Sequence, residues 1–205
     1  MKSILLSSLT KVFKDVEPNF DEFKEYSVLR GEVFNFQIAI FPETDDDCNI
    51  TVEVASNLRD GIKVYKVLNV PSTYAAPEDH DDFHYDTKRT EYPDLLQPIN
   101  EDYSVELKKG EWNCLWFKYT PEMDYIAGTN SITVFLKKGL YDENNKHIFS
   151  LRTLPRQLPM QDLIYTNWMH YDCLYKHYNV EPYTEEFWQL LRNYLKNAVA
   201  HGLNM

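Results

Sequence analysis

Val33 to Phe41 reads VFNFQIAIF, and this stretch decides the fold class. In an extended chain Phe34, Phe36, Ile38 and Ile40 fall on one side, and Asn35, Gln37 and Ala39 on the other. That period of two belongs to a strand and not to a helix. A strand with one apolar face must bury it against a second layer. Asn49 to Val54 repeats the pattern with Ile50, Val52 and Val54. Between the two strands, Pro42, Glu43 and the run Asp45, Asp46, Asp47 make a turn. Its acidic tip is expected to lie in solvent and not to hold a cation.

Working outward, Ile62 to Val70 is the next strand, closed by Pro71. Cys114 to Tyr119 (CLWFKY), Ser131 to Lys137 (SITVFLK) and Ile148 to Leu154 follow. The last two are joined through YDENNK, where Asp142, Asn144 and Asn145 tolerate the left-handed backbone of a turn. Weaker strands lie near Leu5, Tyr26 and Val105. Roughly seven to nine short strands with no convincing helix indicate an antiparallel β-sandwich. Ser72 to Tyr103 interrupts the pattern and is expected to be a long loop of the functional or disordered kind. It contains EDHDDFHYD (Glu78 to Asp86) and EYPDLLQP (Glu91 to Pro98).

The character changes at LPRQLPMQD (Leu154 to Asp162), whose two prolines end the sheet and stiffen a linker. LIYTNWMH (Leu163 to His170) then reads as an apolar strand with a polar tail, and a short helical turn follows around Cys173 to Tyr178. From Thr184 to His201 the pattern is a helix: Thr184 is an N-cap, Glu185 and Glu186 suit the first turn, and Gly202 supplies a left-handed end. Phe187, Leu190, Leu191, Tyr194, Leu195, Ala198 and Val199 form one apolar stripe at helical spacing. Leu203, Asn204 and Met205 read as the opening of another strand. The fold class is therefore mainly β: a sandwich over residues 1–154, a linker over 155–162, and one β/α unit of an incomplete (β/α) barrel over 163–205. One such unit leaves a sheet edge and a helix face uncovered, so the second domain is expected to need further units. The remainder of the barrel, or an oligomeric partner, is expected to cover Phe187 to Val199.

The stretches SSLTKVF (Ser7 to Phe13), RGEVFNFQIAI (Arg30 to Ile40), EYPDLLQP, TNWMHYDCLYKHYNV (Thr166 to Val180) and EEFWQLLRNYLKNAVAHGLNM (Glu185 to Met205) carry a resemblance. Together the chain resembles the N-terminal part of glycoside hydrolase family 123 and its uncharacterised relatives. The resemblance implies a β-sandwich followed by a (β/α)₈ barrel. It also implies hydrolysis of N-acetylhexosamine-containing glycans, with the substrate's own 2-acetamido group as nucleophile. An adjacent Asp and Glu further along the barrel would orient that group and supply the proton. These two have no counterpart here, so the chain holds no catalytic residue and is expected to be inactive alone.

Barrel enzymes place their chemistry at the C-terminal ends of the strands. That location corresponds to Asn167, Trp168, His170 and Asp172, the candidate substrate-binding residues. The indole would stack on a sugar and the polar groups would bond its hydroxyls; alternatively Trp168 fills the barrel top and Asp172 caps the next turn. Glu78, Asp79, His80, Asp81, Asp82, His84 and Asp86 have the residue types of a metal site. No apolar stripe would dock a helix there, so a solvated loop is favoured, and a loop reaching over the sugar site is the third reading. Asp94, between Pro93 and Pro98, reads as a structural clamp or as a prop for a loop near substrate. Arg30 and Glu32 flank Gly31 as a turn with an ion pair. Cys48, Cys114 and Cys173 lack CxxC spacing and read as reduced, mostly buried thiols.

A net charge of −11 argues against nucleic acid or an anionic membrane as partner. A carbohydrate ligand is compatible with it, as is the 15% aromatic content. No metal or cofactor is expected. No apolar run spans a bilayer, and Ile4 to Leu6 is too short for a signal-peptide core, so a cytoplasmic location is expected unless an export signal lies upstream. The alternative function is a non-catalytic carbohydrate-binding or scaffold sandwich, with exposed aromatics on one sheet face.

Overall fold

The computed structural model describes residues 1–19, 24–58, 61–72, 89–121, 127–139, 145–160 and 162–204. The chain divides into two compact units, Met1–Leu158 and Pro159–Met205. The first contains strands β1 (Lys2–Ser7), β2 (Glu25–Arg30), β3 (Phe34–Phe41), β4 (Cys48–Ser56), β5 (Lys63–Pro71), β6 (Glu91–Pro98), β7 (Ser104–Leu107), β8 (Asn113–Tyr119), β9 (Gly128–Lys137) and β10 (Lys146–Gln157). The second contains helices α1 (Asp172–Tyr178) and α2 (Glu185–Ala200).

The strands form two five-stranded sheets, ordered β1-β3-β8-β5-β6 and β2-β10-β9-β4-β7. Phe36, Ile38, Ile40, Leu115 and Phe117 from the first sheet share one buried cluster with Ile50, Val52, Ile132, Val134, Leu136 and Phe149 from the second. The sandwich expected from the period-two pattern is therefore present. Phe36 sits at its centre, stacked on Phe117 with ring centroids 4.6 Å apart and edge-on to Phe149 at 4.7 Å. Pairing is antiparallel throughout except that β2 runs parallel to β10, with Leu151 opposite Tyr26. A parallel neighbour needs a long connection, and strands β3 to β9 separate these two in sequence.

The face of β3 opposite the core is also covered. Gln37 is only 4% exposed and Ala39 fully buried, where the sequence suggests a simple polar face. Ile4, Leu6, Val12, Ala39, Trp112 and Cys114 form a second, smaller apolar cluster there. The cause is the segment following β1, which crosses this outer face. Its Lys14 carbonyl accepts from the Trp112 N–H at 2.8 Å. The Gln37 side chain donates to the carbonyls of Ser7 (3.0 Å) and Thr10 (2.9 Å).

Two boundaries differ from the sequence reading. Glu91 to Pro98 is not part of a loop but a strand, paired to β5 with Leu96 opposite Val67. It lies at the sheet edge, where a proline's missing N–H costs no ladder bond. β10 continues past Leu154 to Gln157 and shifts register between Thr153 and Gln157, so Pro155 falls at an irregularity. The Asp45 to Asp47 tip is exposed as expected. Asp47 nevertheless has partners: the Lys109 N–H and the Lys108 ammonium, both at 2.9 Å, hold its carboxyl below the usual range. At the Gly31 turn (φ 81°) the Glu32 carboxylate accepts from the Leu29 N–H at 2.8 Å. It makes no ion pair with Arg30; the carboxylate is engaged by the backbone N–H across the turn instead. Cys114 is buried, Cys48 intermediate and Cys173 exposed, so one thiol of the three is fully enclosed. No described helix is long and apolar enough to cross a membrane.

Candidate functional site

The second unit is built from local signals. Thr184 caps α2 by accepting from the Phe187 N–H at 3.3 Å, with Glu185 and Glu186 in the first turn. At the other end Gly202 adopts φ 98°, its N–H reaching Val199 O and that of Leu203 reaching Ala198 O, both at 3.1 Å. This Schellman arrangement ends the helix where the sequence places the end. α1 closes at Asn179, whose left-handed backbone (φ 53°) lets its N–H return to Tyr175 O. The helices meet around Phe187, which Tyr171, Tyr175, Tyr183 and Trp188 approach edge-on or tilted. The Tyr178 and Tyr194 hydroxyls share a 2.9 Å hydrogen bond, and the Tyr194 phenol is pushed up to about 12 by that bond and by partial burial. Of the apolar stripe on α2, Phe187 is buried, while Tyr194, Leu195 and Val199 are exposed.

Leu163 to His170 is not a ladder-forming strand here. Among the described residues, what pairs with its extended backbone is Asn204. The Asn204 side chain accepts from the Tyr165 N–H at 2.8 Å and donates to Leu163 O at 2.9 Å, and its backbone N–H donates to Tyr165 O at 3.1 Å. One asparagine thus serves as a short strand, and it aligns the segment carrying the candidate residues. Nothing in its sequence neighbourhood marks that role beyond its place after the helix.

Asn167, Trp168, His170 and Asp172 follow one another along this segment into α1, and all four are exposed. Trp168 is 89% exposed, so it does not fill an interior here. The His170 carbonyl accepts from the Cys173 thiol at 2.7 Å, fixing the turn into α1. Asp172 stands in the first helical turn, 3.4 Å from the Lys176 ammonium, and makes no N-cap bond. The four lie close together along the chain, but no hydrogen bond joins one side chain to another among them. Among the described residues no group of three or more His, Cys, Asp or Glu side chains is placed to hold a metal. The loop from Glu78 to Asp86, with His80 and His84, lies outside the described residues, as do Asp142 and Asn144 of the YDENNK turn and Met205.

The sandwich unit carries open cavities of its own. One of about 430 Å³ lies by Phe13, Asp15 and Arg89, where the guanidinium sits 4.0 Å over the Phe13 ring and 2.5 Å from the Asp15 carboxylate. That hydrogen bond is the main cause that holds the Asp15 carboxyl below the ordinary range. Lys14 and Glu91 pair on the same rim. With its charges already matched, this cavity offers little to a charged ligand. A second groove of about 220 Å³ lies on the outer face of the first sheet, between the crossing segment and β6. Val67, Leu96, Pro93 and Trp116 line it, with Lys11 and Asp94. The sequence pointed to Asp94 through its flanking prolines, but nothing in CLWFKY sets Trp116 apart from a packing residue.

No family model matches the chain, and no curated protein matches it. Among solved structures, the chain is similar to a family 123 glycoside hydrolase from Clostridium perfringens, described in terms of glycolipid glycan hydrolysis. The TM-score is 0.75 at 14% identity, over 96% of this chain and 36% of that one. The chain thus spans about a third of the length of that enzyme. At this identity the likeness is one of fold, and at that level it agrees with the resemblance found in the sequence. A β-glucosidase from Listeria innocua matches over 77% of this chain and 16% of its own, with a TM-score of 0.34, too low to carry weight.

Proposed function

We propose that the chain is the N-terminal portion of a glycoside hydrolase whose barrel continues beyond these residues. The parent protein acts on N-acetylhexosamine-containing glycans by substrate-assisted hydrolysis, and residues 1–205 alone are inactive. The observation that carries this reading is the match over nearly the whole chain to about a third of a glycosidase with the same fold. The second unit supports it: Asn204 returns beside Tyr165 after two helices, the geometry of the start of a β/α repeat. In this reading Asn167, Trp168, His170 and Asp172 contribute one edge of the sugar site. The indole stacks on the sugar and the polar side chains bond its hydroxyls. The acid and the acetamido-orienting carboxylate lie in later repeats, and further repeats cover the exposed face of α2. No metal or cofactor takes part.

The test compares the 205-residue chain with the product of the full coding sequence on a chromogenic N-acetylhexosaminide. Turnover is expected from the longer protein and none from the shorter. Hydrolysis by the short chain would sink the assignment of catalysis to later repeats. A coding sequence without further β/α repeats would sink the parent assignment itself.

A further inference from the structure

The groove on the outer face of the first sheet is independent of the hydrolase reading. Its floor is apolar: Val67 and Leu96 are cross-strand neighbours, and Pro93 and Trp116 lie beside them. The Trp116 indole is held to the sheet by its Nε1–H, which donates to Asn35 Oδ1 at 3.2 Å. Asp94 reaches the rim through a bulge. Leu68 pairs with Leu95 and Asn69 with Pro93, so Asp94 is the extra residue of β6. Bulges commonly re-aim a side chain in this way. Lys11 stands on the crossing segment, whose course is fixed by the two hydrogen bonds from Gln37. Neither the Asp94 carboxylate nor the Lys11 ammonium has a hydrogen bond or ion pair with any other residue among those described.

An aromatic and aliphatic floor with one free acceptor group and one free donor group at its rim selects among ligand chemistries. An anion meets Asp94, a cation meets Lys11, and a purely apolar ligand leaves both charges desolvated without partners. A neutral ring with an apolar C–H face and hydroxyls around its edge satisfies all of them: the face lies on the indole, the hydroxyls donate to Asp94 and accept from Lys11. A cavity of about 220 Å³ is smaller than those that hold drug-sized ligands and suits one such ring. We propose that this groove is a saccharide subsite of the sandwich, taking a single neutral pyranose.

The experiment titrates the 205-residue chain with methyl β-D-galactopyranoside, methyl β-D-glucopyranoside and free phenylalanine, a zwitterion of similar size, using saturation-transfer NMR. At least one glycoside is expected to bind with a millimolar Kd. Trp116→Ala and Asp94→Asn should each weaken it at least ~10-fold, while Ile148→Ala on the other sheet leaves it unchanged. Thermal unfolding checks that each variant folds; should Trp116→Ala not fold, the exposed Asp94→Asn decides. The proposal is overturned if neither glycoside binds, if binding survives Asp94→Asn, or if phenylalanine binds in their place. Loss on Trp168→Ala with retention in Trp116→Ala also overturns it, and moves the sugar to the second unit. None of these outcomes bears on whether the longer protein hydrolyses an N-acetylhexosaminide.

Discussion

Gln37 joins the fold to the groove, and replacing it tests both. Its amide is almost wholly enclosed, donates to the Ser7 and Thr10 carbonyls, and accepts from the Cys114 thiol at 3.2 Å. Leucine keeps the volume and removes both N–H donors. Each neutral hydrogen bond contributes about 0.5–1.5 kcal/mol, so the pair is worth about 1–3 kcal/mol. Ser7 O keeps a second donor, the Thr10 N–H at 3.1 Å, and Thr10 is only half-buried, which admits water. Both facts favour the lower half of that range. We expect Gln37→Leu to lower stability by about 1–2 kcal/mol, a shift of roughly 0.5–1 M in the urea midpoint at unchanged m. Glutamate at the same position would aim a carboxylate at two carbonyl oxygens. Its folded-state pKa should therefore lie above the unfolded value, and Gln37→Glu should be the less stable variant at neutral pH. By linkage that deficit shrinks as the pH falls towards the unfolded carboxyl pKa, because the protonated acid is neutral and regains one donor. Urea denaturation of the three proteins at neutral and acid pH, followed by circular dichroism, supplies the comparison. If Gln37→Leu unfolds within ~0.5 kcal/mol of the parent, or Gln37→Glu shows no pH dependence beyond the parent's, Gln37 does not hold the crossing segment.

Three further outcomes follow from the sandwich and from the thiols of the two units. Phe36→Ala removes a fully buried ring in contact with Phe117 and Phe149 and should cost about 3–5 kcal/mol, measured by chemical denaturation; a cost below ~1 kcal/mol would show that the inter-sheet core is not packed as described. The His147 imidazole is pushed below its ordinary value by burial, while its Nε2 lies 2.9 Å from Ser3 Oγ. The unfolded chain then binds the proton more readily, so this contribution is full above the ordinary imidazole value and lost as the pH falls through the folded one. A His147→Gln variant should show a shallower loss of stability with acid over that window, and an identical pH profile would refute the assignment. With a thiol reagent under native conditions Cys173 should react readily and Cys114 should be protected, since burial pushes the Cys114 thiol up; equal rates would contradict the enclosure of Cys114.

How far these features could be read from the sequence depended on the range of the interactions involved. α2 was legible to its ends because each signal is local: Thr184 bonds a residue three positions on, and Gly202 needs no partner to adopt its backbone. The inner faces of β3, β4, β8 and β9 were legible because period two needs no knowledge of which strand lies opposite. β6 was not, because its prolines are strand-breaking except at an edge, and edge position is a property of the finished sheet. The same holds for Leu163 to His170. Its apolar pattern is that of a strand, but a strand is defined by its partner, and among the described residues that partner is Asn204 alone.

The candidate residues divide along the same line. Asn167, Trp168, His170 and Asp172 were selected by position in a repeat, and position is what they share: they are close in sequence, exposed and not hydrogen-bonded to one another through their side chains. Lys11, Asp94 and Trp116 are far apart in sequence and were not grouped, yet all three line one groove. Gln37 explains why such a grouping escapes a pattern-based reading. On an alternating strand it counts as the solvent-facing polar residue, and only the segment crossing above it turns it into a buried ligand for two carbonyls. Alternation says that a strand has two faces; what lies over the second face is decided by contacts between residues distant in sequence. A concave surface on the outside of a sheet depends on such a covering segment for one of its walls. The groove therefore should be sensitive to Gln37, which touches the crossing segment directly, and insensitive to Phe36, which supports the opposite face, so long as the sandwich remains folded. Glycoside binding that weakens in Gln37→Leu while that variant stays folded would tie the wall to its support.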